Sequence, residues 1–254
     1  MPKQTSTAYV LYDNLLTHSS LAASSTNSGS HVRNAVDWRT NTSWQTSTTG
    51  MQYLSIDREG VAFADAFALA RHNLKSATTG IVNLEYFDGS VWVAATTFNI
   101  ASDNQTFLKL FNGVNADQWR LGFNVLSDQT LSIAVAMLGR VVNLPFGMPI
   151  GFIPPRHNPQ IEYVNNKTEG GAFVGRSVVR KGYQADLKQP RVKTVWLRSE
   201  GEKFKAHAET KPFIFSWSHV KYPQDAVYCW ASTIAQNETL DYKYQAFSMK
   251  LECI

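Results

Sequence analysis

Apolar residues in this chain recur at every second position, in short runs broken by turn-forming residues. The run from Ile81 to Phe87 places Val82, Leu84 and Tyr86 on one face and Asn83 and Glu85 on the other. Trp119, Leu121, Phe123 and Val125 alternate with Arg120, Gly122 and Asn124, and Leu131, Ile133, Val135 and Met137 alternate with small residues. Near the end, Phe247, Met249, Leu251 and Cys253 alternate with Ala246, Ser248, Lys250 and Glu252. Successive side chains of a strand point to opposite faces, so a period of two buries one face of a sheet and does not suit an amphipathic helix. Asp88-Gly89 predicts a hairpin between the runs 81–87 and 90–94, because glycine readily supplies the positive φ of a tight turn. Ser127-Asp128-Gln129 predicts a second hairpin, joining 119–125 to 131–137. Tyr53-Leu54-Ser55-Ile56-Asp57 reads as a strand that stops at its charge, with Asp57 and Glu59 marking the exit.

The same reading divides the chain. Residues 1–140 are expected to form a β-sandwich, with loops at 19–30 and 40–50, where Ser, Thr, Asn and Gly dominate. Five of the nine prolines follow closely: Pro145, Pro149, Pro154, Pro155 and Pro159. Proline fixes φ and has no backbone donor, so 141–160 is predicted to be an extended strap that neither a helix nor a central strand would accept. Residues 161–254 are predicted to be a second β-rich domain, a sandwich or barrel with strands at 171–179, 212–219, 226–231 and 244–253. The spacing of Trp196, Phe204 and Ala208 predicts one helical segment over 194–208, weakened by Gly201. The expected fold class is mainly β, an N-terminal sandwich followed by a second β domain.

Composition narrows the functional classes. With 44% hydrophobic and 17% charged residues, the 254-residue chain suits a packed globular protein. No apolar run approaches the roughly 20 residues of a membrane helix, and the N-terminus does not read as a signal peptide. Membrane insertion is therefore not expected, and the chain is expected to be made and kept in the cytoplasm unless a larger particle carries it out. Cys229 and Cys253 lie in apolar, strand-like segments and read as small buried hydrophobes, not as a disulfide framework or metal site. Residues 1–140 carry a net charge of −1 and residues 141–254 one of +5. No stretch reaches the Lys/Arg density of a nucleic-acid tail, so a solvated surface or an acidic protein neighbour is the expected use of that charge.

Catalytic constellations are missing from the sequence. The six histidines show no metal-ligand spacing, and neither a nucleophile elbow nor a phosphate-binding loop is present. No cofactor or metal is expected, and the chain reads as a binding or structural protein and not an enzyme. Carboxylates for glycoside hydrolysis need not be close in sequence, so a glycan-active enzyme stays as a weaker third reading. The tempting feature is a polar loop holding Trp38, Arg39 and Asn41, with Trp44 and Gln45 beside it. A ring to stack on and planar groups to hydrogen-bond hydroxyls are what sugar binding needs. The alternative is a tryptophan that plugs the end of the sandwich. That alternative is the stronger one for Trp44, and for Trp38 the two readings stand level.

Several segments, taken in order, resemble the discoidin-like, galactose-binding-like domains. They are Asn34-Ala35-Val36-Asp37, Thr42-Ser43-Trp44, Tyr53-Leu54-Ser55-Ile56-Asp57, 66–69, 82–86 ahead of Asp88-Gly89-Ser90-Val91-Trp92, and Trp119-Arg120-Leu121. The resemblance implies an eight-stranded, jelly-roll-like sandwich binding through loops at one end, with Trp44 and Trp92 packed inside. Some members hold calcium near the position of Asp37 and Thr42; here Asp37 is the only nearby carboxylate, so no ion is expected.

Ala70-Arg71-His72-Asn73-Leu74 is similar to an alanine-glycine-histidine-asparagine-leucine element in a group of bacteriophage tail proteins, with Arg71 in the glycine's place. Gly175-Arg176-Ser177, Lys211-Pro212-Phe213-Ile214-Phe215-Ser216-Trp217, Tyr222-Pro223 and Tyr228-Cys229-Trp230 extend that likeness, as does the proline-rich strap. The group implies a virion structural role near the distal tail or baseplate. The second half would form a symmetric ring with copies of itself and other tail proteins, and the sandwich would project outward. The other reading is an adhesin module recognising host-surface glycan.

Overall fold

A computed structural model describes residues 8–254. In chain order, β1 (Tyr9–Leu11), β2 (Ala22–Ala23), β3 (Trp44–Gln45), β4 (Gly50–His72), α1 (Leu74–Ala77), β5 (Thr78–Phe87), β6 (Trp92–Asn99), β7 (Phe107–Val125), β8 (Ser132–Gly139) and β9 (Val141–Asn143) come first. β10 (Pro159–Lys167), β11 (Phe173–Lys193), α2 (Thr194–Trp196), α3 (Glu202–Ala208), β12 (Phe213–Ser216), β13 (Val227–Ile234), β14 (Glu238–Thr239) and β15 (Tyr244–Cys253) follow. The chain is mainly β and divides into two compact units. One is Tyr9–Asn143 with Ile214–Ser216; the other holds Leu144–Phe213 and Trp217–Ile254.

The first unit is an antiparallel sandwich with strand order β3-β8-β4-β7-β5-β6, and β2 lies against β4. Its backbone is β4, 23 residues long. The early part pairs with β7, from Gly50↔Val125 to Asp57↔Gln118. The later part runs between two partners, β7 over 66–69 and β8 over 66–72. The strand therefore does not end at Asp57. A register shift between Asp57 and Ala62 absorbs the charged residues without breaking the ladder.

The second expected hairpin is also corrected. β7 and β8 are not paired with each other; both flank β4. Alternation fixes which face of a strand is buried, but it carries no information about which strand lies alongside. The hairpin at Asp88-Gly89 forms as expected, from Ile81↔Asn99 to Phe87↔Trp92. Gly89 sits at φ 102°, and Asp88 Oδ1 accepts hydrogen bonds from the backbone N–H groups of Ser90 and Val91.

This sheet holds seven strands among the described residues. Its buried face follows the period of two: Val82, Leu84, Leu121, Phe123 and Val125 enclose Trp44, Trp119 and Phe67. Asn14, buried among them, ties the chain entry to β8. Its Nδ2 donates to Ala136 O at 2.9 Å, while its Oδ1 accepts from Leu16 N and Leu138 N. Gly139 is required where the chain crosses there, because a Cβ would lie 2.3 Å from Asp13 O. β1 runs antiparallel between β9 and residues 214–216.

In the second unit the strand order is β10-β11-β15-β13, with β14 beside β15. Phe247, Met249, Leu251 and Cys253 are buried, as their spacing predicts. The helical segment over 194–208 forms as α2, a π turn at Leu197–Gly201, and α3. Leu197, Gly201, Phe204 and Ala208 are its buried residues, Trp196 is half-buried, and Phe204 meets Phe213 edge-on with ring centroids 4.9 Å apart. The proline-rich stretch contains a 3-10 turn at Pro155–His157. Buried Gln189 holds it by accepting from Phe146 N and donating to Gly147 O.

Candidate functional site

The loop predicted to bind sugar is built around Asp37. Its Oδ1 accepts from Arg39 N at 2.9 Å and its Oδ2 from Thr42 Oγ1 at 2.8 Å, so both carboxylate oxygens are used to shape the turn. Between them Trp38 stands at φ 67°, a left-handed conformation uncommon for any residue with a Cβ. Trp38 is half-buried, and Arg39 and Asn41 are exposed. The three predicted residues lie on this one turn. Trp44 is separate from them. It is fully buried, its Nε1–H donates to Ser25 O at 3.0 Å, and it closes the core beside Phe123.

Trp92 departs from the expectation that it packs inside. It is not among the buried core residues. It lies against the Arg120 guanidinium, whose carbon sits 4.3 Å from one ring centroid of Trp92 and 4.8 Å from that of Tyr53. Glu85 pairs with Arg120 at 2.5 Å. The cause is register: Arg120 opposes Glu85, and both occupy the positions that alternate with buried Leu84 and Leu121.

The 70–74 element is a structural corner. Arg71 takes the left-handed φ of 53° while remaining exposed, so the conformation a glycine would supply is kept without one. His72 is buried, its Nε2 lying 3.0 Å from Gln105 O and its Nδ1 accepting from Leu74 N. Burial holds its pKa below the ordinary histidine value, opposed by the Gln105 carbonyl and the Asp103 charge. Asn73 accepts from Ser132 N and donates to Thr130 O. Asp103 receives Lys75 N and Ser76 N at the start of α1. Partial burial raises the Asp103 carboxyl, but hydrogen bonds from the Ser76 side chain and from the Ser76 and Lys75 N–H groups, with the His72 charge, outweigh it and leave the pKa below the usual carboxylate value.

The strand expected at 171–179 is the start of β11; missed from sequence are its partner β10 and the exposure of the hairpin they form, paired from Pro159↔Tyr183 to Lys167↔Phe173. Tyr163, Val164, Phe173, Val174, Val178 and Val179 on it are 43% to 66% exposed. A lone two-stranded ribbon is marginal in water, and scattered single apolar residues would be ordinary. Here they come as adjacent pairs, so both faces of the ribbon are apolar. Those pairs were the available signal: neighbours cannot both point into one core.

Among the described residues no three His, Cys, Asp or Glu side chains gather as a metal site. No helix of the described residues is long and apolar enough to cross a membrane.

No protein-family model matches the chain, and no curated protein matches it. Similar solved structures include carbohydrate-binding modules, and a glycoside hydrolase family 29 fucosidase from Ruminococcus gnavus, of which the match covers 27%. One is CpGH89CBM32-5 from Clostridium perfringens in complex with GalNAc-β-1,3-galactose: 16% identity, 47% of this chain and 94% of that one, TM-score 0.41. Another is chitosan-binding module 1 from a Paenibacillus sp. IK-5 chitosanase/glucanase: 15% identity, 50% and 98% coverage, TM-score 0.43. A third is the family 32 module from C. perfringens NanJ in complex with galactose: 16% identity, 48% and 92% coverage, TM-score 0.41.

Proposed function

We propose that the chain is a non-catalytic assembly subunit that docks into a larger complex through the β10–β11 hairpin. The observation that carries this reading is the doubly apolar, solvent-facing ribbon. Fully burying a valine or phenylalanine side chain is worth roughly 1.5–3 kcal/mol, so a partner that covers the ribbon gains substantially. The setting we propose is the distal tail or baseplate of a bacteriophage, with copies of the chain and other tail proteins as partners in a symmetric ring. That setting rests on the sequence resemblance of the 70–74 element and of the second half. The test is the mass of the purified chain by light scattering, and its position in virions by electron microscopy. Val174→Lys with Val179→Lys, both exposed, is expected to weaken assembly by at least about tenfold while leaving the fold intact. A monomer at high concentration that is absent from particles would sink the reading.

A second reading, recognition of host-surface glycan by the sandwich, is favoured by one observation. The Asp37 loop holds an aromatic side chain in a costly backbone conformation, followed by exposed Arg39 and Asn41. The solved structures named above include complexes with galactose and with a GalNAc-containing disaccharide, which suggests the glycans to try first. A glycan array run beside Trp38→Ala and Arg39→Ala tests it. Binding by the wild type that both variants lose is the expected result, and silence across the array counts against it.

A further inference from the structure

Cys229 on β13 stands directly opposite Cys253 on β15. The adjacent pair, Tyr228 and Ile254, exchanges both backbone hydrogen bonds, Tyr228 N to Ile254 O at 3.3 Å and Ile254 N to Tyr228 O at 2.9 Å. Pairs alternate along an antiparallel ladder, so Cys229 and Cys253 form the non-hydrogen-bonded kind, in which Cα atoms approach to about 4.5 Å and side chains come closest. Disulfides span Cα separations of roughly 4.4–6.8 Å. The two sulfurs are free thiols 2.7 Å apart, well inside van der Waals contact, and both residues are buried.

We propose that Cys229 and Cys253 are the site of a cross-strand disulfide, formed by exchange with a low-molecular-weight disulfide such as oxidised glutathione. One cysteine, as thiolate, attacks the small disulfide and releases one small thiol, leaving a mixed disulfide on the protein. The other cysteine, as thiolate, then displaces the second small thiol and closes the Sγ–Sγ bond. Two protein thiols are oxidised, one small disulfide is reduced, and the two protons end on the released thiols. Burial and the neighbouring sulfur push the Cys229 thiol well above its ordinary pKa. Exchange therefore runs through an opened state of the β13–β15 end, slow in native buffer and faster in mild urea.

The folded chain is incubated with oxidised glutathione in buffer and in sub-denaturing urea, acid-quenched, unfolded, alkylated with iodoacetamide and weighed intact. The expected product is a monomer lighter by two hydrogens that takes no alkyl group, forming faster in urea. Its melting midpoint lies several degrees above that of the reduced chain. Cys229→Ser and Cys253→Ser each stop at one alkyl group or one glutathione adduct, and oxidant does not raise their melting midpoints. The inference is overturned if wild-type chains exposed in urea still take two alkyl groups, carry a stable glutathione adduct, or link only between chains.

Discussion

Ser132 N donates to Asn73 Oδ1 at 2.7 Å, joining two residues 59 positions apart. Asn73 Nδ2 also donates to Thr130 O, so one side chain fastens the turn after β4 to the entry of β8. Asn73→Ala removes both bonds and leaves Ser132 N to find water. We expect a loss of about 1–3 kcal/mol, read from urea unfolding with an unchanged m-value. An unchanged midpoint would mean the corner is held elsewhere.

Arg71 tests the backbone beside it. At φ 53° the side chain matters less than the tolerance of its Cβ for the left-handed region. Arg71→Gly should range from neutral to stabilising by up to about 1 kcal/mol, since relief of strain meets or exceeds the added freedom of the unfolded chain. Arg71→Val puts a β-branched residue there and should cost more than 1 kcal/mol, the approximate left-handed penalty of an ordinary residue. Equal melting of the two variants would argue against this conformation.

His72 gives a pH dependence with a definite sign. Its two ring nitrogens are used as a neutral imidazole uses them, Nε2 toward the Gln105 carbonyl and Nδ1 accepting from Leu74 N. A second proton would break the Leu74 contact and place a charge in a buried site. The folded pKa is therefore depressed, and the unfolded chain binds a proton that the folded chain refuses. Stability is lost as pH falls through the unfolded value of about 6.5 toward the lower folded one. Comparing wild type with His72→Gln between neutral and mildly acidic pH isolates this contribution. The variant's unfolding free energy should fall less steeply.

The elements were more legible in the sequence than their neighbours. Phe247, Met249, Leu251 and Cys253 alternate on a strand whose bounds, Tyr244–Cys253, match the run read from sequence. The Asp88-Gly89 turn was legible because its chemistry is local. Strand pairing was not: β7 and β8 are adjacent in sequence, yet both lie beside β4, whose paired residues come between 38 (Leu69↔Phe107) and 75 (Gly50↔Val125) positions earlier. The continuation of β4 past Asp57 was hidden because a bulge lets charged residues sit in a ladder without alternating. Of the candidate site, the Trp38 loop was visible as residue types, whereas the left-handed Trp38 and the shaping role of Asp37 depend on three-dimensional closure. Of the apolar hairpin, the strand at 171–179 was legible, whereas its partner strand and its exposure were not, because adjacent apolar pairs look like ordinary core until no core covers them.

Trp38 separates strain from function. At φ 67° any Cβ is disfavoured, and glycine alone occupies that region freely. If the ring contributed only packing, Trp38→Gly and Trp38→Ala would lose the same contacts. The glycine variant would then melt higher by up to the roughly 1 kcal/mol that the left-handed conformation costs alanine. We expect that order of stability, with Gly above Ala, in thermal unfolding monitored by circular dichroism. We further expect both variants to lose whatever ligand the loop holds. A Trp38→Gly chain that is the more stable of the two yet binds no glycan would show strain kept for recognition. One that retains full glycan binding would remove Trp38 from the site and leave Arg39 and Asn41 to account for it.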